Sequence, residues 1–490
     1  MKGPTGNSCR TLRADAARCG GMKKFLVLAA LALFSCNAAA AMTNAPPDST
    51  ISHATPRLLR PLSMADALDM ALQQNSTIRK GRADLEASHG IVVQTRAIAL
   101  PKLAISSSYS ANEEDSTDRL QGTVSVPGVT NINFADTFDY ADQRWSAGIR
   151  IMQSIYEGGR INAALRSARL TREHALLSHQ TVIADALRDV RVAYYNVLSA
   201  QQQITVQEAS LNLLQQELDE MGRRFTAGTV PRFNVLRAEV EVANSRPKLI
   251  RARNAFRISK DNLANLLGEK IPREMEEAPL QLTGKLEATP FEVSLPDALG
   301  KAFEQRTELA ALRKVEALRT EAIANARSGY KPSVQLFAGY GARSSQFSSD
   351  LTEELHGWEA GAQLSWNVFD GFLTKGRVQE AEGLRNRTRE ELAEAERSVE
   401  LDVRTAYSFF TEAREVLRSQ EKVQESADES LRLATARATA GAATQLDVLN
   451  AQTALTEART TQVLALHGYA VARARLERAI GQPIATEGKP

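Results

Sequence analysis

The residues able to do chemistry are few, and their spacing does not suit it. Six histidines (His53, His89, His174, His179, His356 and His467) are scattered along the chain. His174 and His179 are five apart, so they do not share a helix face as i, i+4 zinc ligands do. Solvated imidazoles are expected rather than a metal centre. All three cysteines (Cys9, Cys19 and Cys36) lie in the first 36 residues. If that segment is removed, no thiol is left for a disulfide, a zinc-thiolate site or a nucleophile. No Gly-x-x-x-x-Gly-Lys-Ser/Thr box occurs. The many helical carboxylates read as solvated surface rather than acid–base pairs. No Ser/His/Asp or Cys/His grouping presents itself. With 60 basic and 58 acidic residues and a formal net charge of +2, the chain is not expected to bind nucleic acid electrostatically. The expectation is a protein that is not an enzyme and has no catalytic, cofactor or metal residues.

The elements that would position any site are long helices. From Gly159 to Phe225 the sequence has no proline and no internal glycine except Gly222. Ile183, Val190, Val197, Ile204, Leu211, Leu218 and Phe225 recur at every seventh position, the repeat of helices that wind around one another. Such a helix is about 100 Å long, so an extended shape is expected.

The stretch also has a twin. A shift of 213 residues maps Asp189, Val190, Arg191, Ala193 and Tyr194 onto Asp402, Val403, Arg404, Ala406 and Tyr407, and Thr226-Ala227-Gly228 onto Thr439-Ala440-Gly441. Upstream, a shift of 231 maps Ser63, Asp66, Leu68 and Gln74 onto Ser294, Asp297, Leu299 and Gln305, and Arg96 and Pro101 onto Arg327 and Pro332. The chain is a tandem duplication, with repeat 1 at 62–268, a Pro-containing linker at 269–292, repeat 2 at 293–481 and a tail at 482–490.

Residues 1–41 read as a secretory signal: Lys23-Lys24, an apolar run from Phe25 to Phe34, then Ala38 to Ala41. Met22 is the better start, and cleavage after Ala41 is expected. The alternative is lipoprotein processing at Cys36, where Leu33 to Cys36 resembles a lipobox apart from the bulky Phe34. Residues 42–61, with four prolines, read as an extended tether. Beyond the signal no uncharged apolar run approaches the ~20 residues of a membrane helix.

Ser63 to Ala99 is expected to be helical, capped by Ser63 and Asp66 and ended by Pro101. From Trp145 the period falls to two. Trp145, Ala147, Ile149 and Ile151 alternate with Ser146, Gly148, Arg150 and Met152. Trp358, Ala360, Ala362, Leu364, Trp366 and Val368 do the same in the second copy. Leu103 to Tyr109 and Val334 to Tyr340 supply the partners. Four strands of about ten residues, in an exported chain, match tilted membrane crossings. Trp145, Ile149, Ile151, Trp358 and Leu364 are then lipid-facing. Four strands cannot close a barrel, and an open edge cannot sit in lipid, so several copies must pool them. The acidic stretch 110–144 and the shorter 341–357 read as exposed loops.

Each strand pair runs into a Gly turn, at Glu157-Gly158-Gly159 and at Asp370-Gly371, from which the long helices start. They break at Ala227-Gly228-Thr229 and Ala440-Gly441-Ala442. Return helices then start near Pro231 and at Thr444, where Thr444 and Asp447 make a capping box. Pro247 is expected to kink or end the first return helix early.

This order of strand pair, Gly turn, long helix, glycine tip and return helix, present twice, resembles the TolC-like outer-membrane efflux protein family over roughly residues 60–482. Ile155-Tyr156-Glu157-Gly158-Gly159 is similar to the family's apolar–aromatic–acid–Gly–Gly turn. Asp447-Val448-Leu449 with Ala451 is similar to its Asp-Val-Leu-x-Ala signature. Ser154 and Asn367 stand where the family often has proline, and Asn234 replaces the tip aspartate in the first copy. The resemblance implies an α+β membrane protein. In it a homotrimer pools four strands per chain into a β-barrel in outer-membrane lipid, on a long α-helical coiled-coil tunnel in the periplasm. It also implies a passive channel component of a tripartite efflux or type I secretion system. The two tips would dock a periplasmic adaptor (membrane fusion) protein and an inner-membrane pump or ABC exporter. It implies, finally, a pore constriction at Asp447, with Asn450 at the following position, alongside the capping role of Asp447. The rival is a periplasmic coiled-coil adaptor or scaffold without a pore, which has no use for duplicated alternating strands.

Overall fold

The computed structural model describes residues 61–112, 123–124, 132–133, 143–271, 273, 276–345 and 351–482. The expected signal with Cys36, the tether up to residue 60, most of the acidic loop and the tail beyond residue 482 lie outside the described residues.

A short strand, β1 (Pro61–Leu62), precedes α1 (Met64–Gln74). Ser63 caps α1: its hydroxyl accepts from the Asp66 N–H at 3.2 Å, and the Asp66 carboxylate accepts from the Ser63 N–H at 3.2 Å. The expected single helix over Ser63–Ala99 is interrupted at Asn75. Its Oδ1 accepts from the N–H groups of Thr77 and Ile78 (2.8 and 3.2 Å) and so starts a new helix, α2 (Ser76–Arg96). A 3₁₀ turn over Ala97–Ala99 leads into β2 (Lys102–Ala111). Within the acidic stretch β3 (Thr123–Val124) and β4 (Ile132–Asn133) pair antiparallel. Then come β5 (Gln143–Glu157), α3 (Arg160–Thr226) and α4 (Arg232–Leu267). Pro247 lies inside α4 and does not end it. Ser245 and Leu249, on either side of it, are buried, and α4 packs along α3.

In the linker β6 (Gln281–Leu282) pairs parallel with β1. The buried Tyr194 of α3 fastens this join. Its hydroxyl donates to the Leu62 carbonyl (3.0 Å) and accepts from the Gly284 N–H (3.1 Å). The second copy repeats the order: α5 (Leu295–Gln305), a break at Arg306, α6 (Thr307–Arg327), β7 (Ser333–Ser344), β8 (Glu354–Ser365), α7 (Leu373–Thr439) and α8 (Gln445–Ile480). Three of the four long strands exceed the expected ten residues, and Trp366 and Val368 lie just past the end of β8.

Each copy has its own core. Val190, Tyr194 and Val197 of α3 pack with Leu68, Leu263 and Leu267, while Val403 and Phe410 of α7 pack with Leu309, Leu476 and Ile480. The heptad seam of α3 is fully buried at Val190 and Val197, half-buried at Ile204, Leu211 and Leu218, and exposed at Phe225. Burial thus fades toward the tip. The two helix breaks are equivalent positions and do equivalent work. Asn75 donates to the Leu266 carbonyl (2.6 Å) and Arg306 to the Ala479 carbonyl (2.8 Å), each satisfying an orphan carbonyl in the last turn of a return helix. Ion pairs join the copies: Arg191 with Glu477 (2.5 Å), and Arg478 with Asp185 (2.9 Å), while Arg478 also pairs with Glu308 of its own copy (2.5 Å). Among the described residues no helix is long and apolar enough to cross a membrane.

Candidate functional site

The four long strands form one antiparallel sheet in the order β2-β5-β7-β8. The two hairpins, one from each copy, join at β5–β7. Because side chains alternate, the register decides which residues share a face. Ile149 stands opposite both Ile105 and Tyr340, Ile151 opposite Leu103 and Ala338, and Tyr340 opposite Trp358. The apolar alternation of each strand therefore adds into one apolar face holding Trp145, Ile149, Ile151, Trp358 and Leu364 together. A bulge at Ile155 shifts the register so that Tyr156 joins Val334 on this face. Trp358 is 79% exposed and Leu364 67%, so none of the described residues covers the face there.

The opposite face is polar and short of side chains. One row is Ser106, Gly148, Gly341 and Gly357, and the next is Ala104, Arg150, Gly339 and Glu359. Arg150 reaches across the glycine row-mate to Glu359 (Nε to Oε1 2.9 Å) and lies over the Phe337 ring at 5.4 Å. Alternation alone put Arg150 on this face, but its partner 209 positions away was not readable before β5 and β7 were paired.

At the foot of the sheet the first turn takes Gly158 and Gly159 through φ +62° and +97°, where L side chains are strained. A Cβ on Gly158 would lie 2.5 Å from the Ser328 carbonyl oxygen, whereas one on Gly159 would meet nothing within 4 Å. The buried Glu157 carboxylate pairs with Arg160. In the second turn Gly371 has φ +66° and Phe372 occupies the place of Gly159 with φ +69°. Asp370 accepts from the Thr374 hydroxyl (2.5 Å) and N–H (2.8 Å), which hold its carboxyl below the usual carboxylate range.

At the other end of the helices the tips are two matching caps. Gly228 and Gly441 both have φ +75°. The Thr229 N–H donates to the Arg224 carbonyl (2.9 Å) and the Ala442 N–H to the Arg437 carbonyl (2.8 Å), the bond that closes a Schellman cap. Ala227 and Ala440 end the helices in right-handed backbone. Nothing lies within 4 Å of where a Cβ would stand on either glycine, so both tips are open surfaces.

Asp447 caps α8 as expected. Its Oδ2 accepts from the Thr444 N–H (2.8 Å) and hydroxyl (2.7 Å), and these bonds, the backbone one foremost, lower its carboxyl pKa. The Asp447 Oδ1 takes no part in the cap. Asp447 and Asn450 are both exposed, while Val448 and Leu449 between them are buried, so the two polar residues share the outer face of the helix. The histidines are not gathered: His174 is placed by the Ala311 carbonyl (3.3 Å) and His467 by Asn196 (2.6 Å). Among the described residues no group of three or more His, Cys, Asp or Glu is placed to hold a metal ion.

Comparison with known proteins agrees with this architecture. The family model described as outer membrane efflux protein matches residues 67–269 and 298–482, one block for each copy. The outer membrane protein TolC of Escherichia coli (strain K12) is 23% identical over 435 residues, covering 86% of this chain and 83% of that protein. The alkaline protease secretion protein AprF of Pseudomonas aeruginosa is 25% identical over 420 residues, covering 85% and 83%. Among solved structures, the outer-membrane channel OprN superposes with a TM-score of 0.69 at 20% identity, covering 86% of this chain and 90% of that one.

The foot turns yield a paired prediction. Gly158→Ala should sharply lower the yield of folded protein, because its Cβ would collide with backbone. Gly159→Ala should cost only about 1–2 kcal/mol, the strain of a left-handed non-glycine residue. Urea unfolding of both variants checks this, and equal midpoints would contradict it.

Proposed function

The chain belongs to the outer membrane efflux protein family, and we propose that it works as a homotrimer carrying no reaction of its own. As a member of that family it is an outer-membrane channel component of efflux and type I secretion machinery, reaching from the outer membrane into the periplasm. In the proposed assembly residues 1–41 direct export and are removed. The two copies, 62–268 and 293–481, then act as pseudo-equivalent staves of one wall. The observation that carries the reading is the four-stranded sheet, apolar on one face, polar on the other and, among the described residues, unpaired at the outer edges of β2 and β8. Three such sheets supply twelve strands, an even count within the range of bacterial barrels. Trp145, Ile149, Ile151, Trp358 and Leu364 then face lipid, and Arg150 and Glu359 face the lumen. The Gly turns at Glu157-Gly158-Gly159 and Asp370-Gly371 convert barrel strands into tunnel helices. This sheet also weighs against a pore-less periplasmic adaptor, which would have nothing to do with it.

The tips Ala227-Gly228-Thr229 and Ala440-Gly441-Ala442 are the proposed docking ends for a periplasmic adaptor, through which an inner-membrane pump or ABC exporter hands over cargo. Their exposure and matched caps support this reading. Gly228→Val with Gly441→Val forces β-branched residues into left-handed backbone. The double variant should reach the outer membrane as wild type does yet lose export. Export at the wild-type rate would place docking elsewhere.

Asp447 is the proposed constriction residue, with Asn450 one turn further along the same face. Three copies around one axis make three carboxylates a ring that attracts cations and repels anions. The resting pore should therefore be cation-selective, and Asp447→Asn should weaken that selectivity. Reversal potentials of purified protein in a planar bilayer under a salt gradient decide it. Identical values for wild type and variant, with only a lower melting temperature, would leave Asp447 as a helix cap and nothing more.

A further inference from the structure

Where β5 turns into α3, the helices α3, α6 and α7 line a cavity of about 510 Å³. Its wall carries four cationic side chains, Arg166, Arg327, Lys331 and Arg385, against the single carboxylate of Glu382. Two of these cations are matched. Arg166 donates to Glu321 (2.8 Å) and Arg327 to Glu382 (2.9 Å). The other two are not. The Lys331 ammonium is in no ion pair among the described residues, and the Arg385 Nε is buried without a hydrogen-bond partner. A buried guanidinium N–H with no acceptor is costly, which points to an acceptor supplied from outside the chain. The N-terminus of α3 lies in the same wall, through Gly158, Gly159 and Asn162. Gly159 offers no side chain to cap it, so the positive end of a 67-residue helix adds to the excess.

The duplication divides the four cations. Arg327 and Arg385 answer to arginines in the first copy, Arg96 and Arg172, whereas Arg166 and Lys331 answer to the uncharged Gln379 and Leu100. The full set of four is therefore particular to this turn and is not required by the frame common to both copies.

We propose that this cavity binds a phosphate group, presented as the phosphodiester of an anionic phospholipid headgroup from the periplasmic leaflet. The lipid source rests on the reading that the strands lie in the outer membrane, which puts the strand ends Glu157 and Ser333 at headgroup depth. Trp366 and Tyr330 mark the same level. Both are exposed, and the Trp366 indole N–H donates to the Tyr330 carbonyl (3.2 Å) next to Lys331, the placement of amphipathic rings at a membrane boundary. Phosphate oxygens accept from Arg385 and Lys331, and the headgroup's net negative charge offsets the unmatched cations. A choline headgroup would instead press its own ammonium against them.

The test uses the full-length protein purified in neutral detergent. Native mass spectrometry measures retention of added phosphatidylglycerol or phosphatidylcholine, and calorimetry measures binding of inorganic phosphate. Phosphatidylglycerol should be retained, up to one per chain, about tenfold more strongly than phosphatidylcholine. Arg385→Gln with Lys331→Gln should lower that retention about tenfold, with oligomeric state and melting temperature unchanged. If Arg385→Gln prevents folding, Lys331→Gln alone, on an exposed side chain, carries the test. Phosphate binding lost in the variant, without preference between the two lipids, would overturn the lipid source and assign the site to free phosphate. Equal retention by wild type and variant, with no heat from phosphate, would overturn the site. Either failure leaves the protein in the outer-membrane fraction, whereas failure of the channel reading removes it from that fraction.

Discussion

Everything in this chain depends on a sheet that cannot finish itself. Among the described residues β2 and β8 are each paired on one side only, and none of those residues covers the apolar face of the sheet at Trp358 and Leu364. Unpaired strand edges are a liability in water and untenable in lipid. Closure by further copies removes the edges and gives the apolar face a solvent in one step. In the proposed trimer the glycine-rich opposite face is the wall of the passage, with Arg150, Phe337 and Glu359 on it. A family of outer-membrane channels is where such a sheet belongs.

The helices solve a different problem, that of carrying a wall far from the membrane without a large core. Burial is concentrated where α1 and α5 fold back on α3 and α7, around Tyr194 in one copy and Phe410 in the other. There the helix breaks at Asn75 and Arg306 fasten the ends of α4 and α8, and the Arg191–Glu477 and Arg478–Asp185 pairs tie copy to copy. Toward the tips the seam opens to solvent. The part of the molecule proposed to meet partners is thus the part held least firmly by its own chain.

Much of this was legible from residue order because the fold is local and doubled. Periods of seven and two, glycines at turns and the Thr444–Asp447 box are short-range signals, and seeing each twice removed most of the ambiguity. What was missed is tertiary. Asn75 lies within a run expected to be one helix, and its side chain makes the break by capping Thr77 and Ile78 on one side and bonding the Leu266 carbonyl on the other. Of the two outcomes expected at Pro247, a kink or an early end, the early end does not occur, and the helix runs on to Leu267. Phe372 follows Gly371 and stands in the left-handed place of Gly159, in edge-to-face contact with Phe369 (5.6 Å), which its residue type does not announce. The Arg150–Glu359 pair joins residues from different copies, so no local pattern could reveal it.

The central claim is that the apolar face of the sheet meets lipid, and comparing one substitution on each face tests it most directly. Ile149→Arg places a charge on that face near mid-membrane, at a cost of about 2–4 kcal/mol per copy. Ser146→Arg places the same charge on the other face, beside the Ser108 hydroxyl (2.8 Å). The measurement is the amount of assembled protein in the outer-membrane fraction. The account predicts a large loss for Ile149→Arg and near-normal assembly for Ser146→Arg. Equal assembly of the two, or a greater loss for Ser146→Arg, would contradict it.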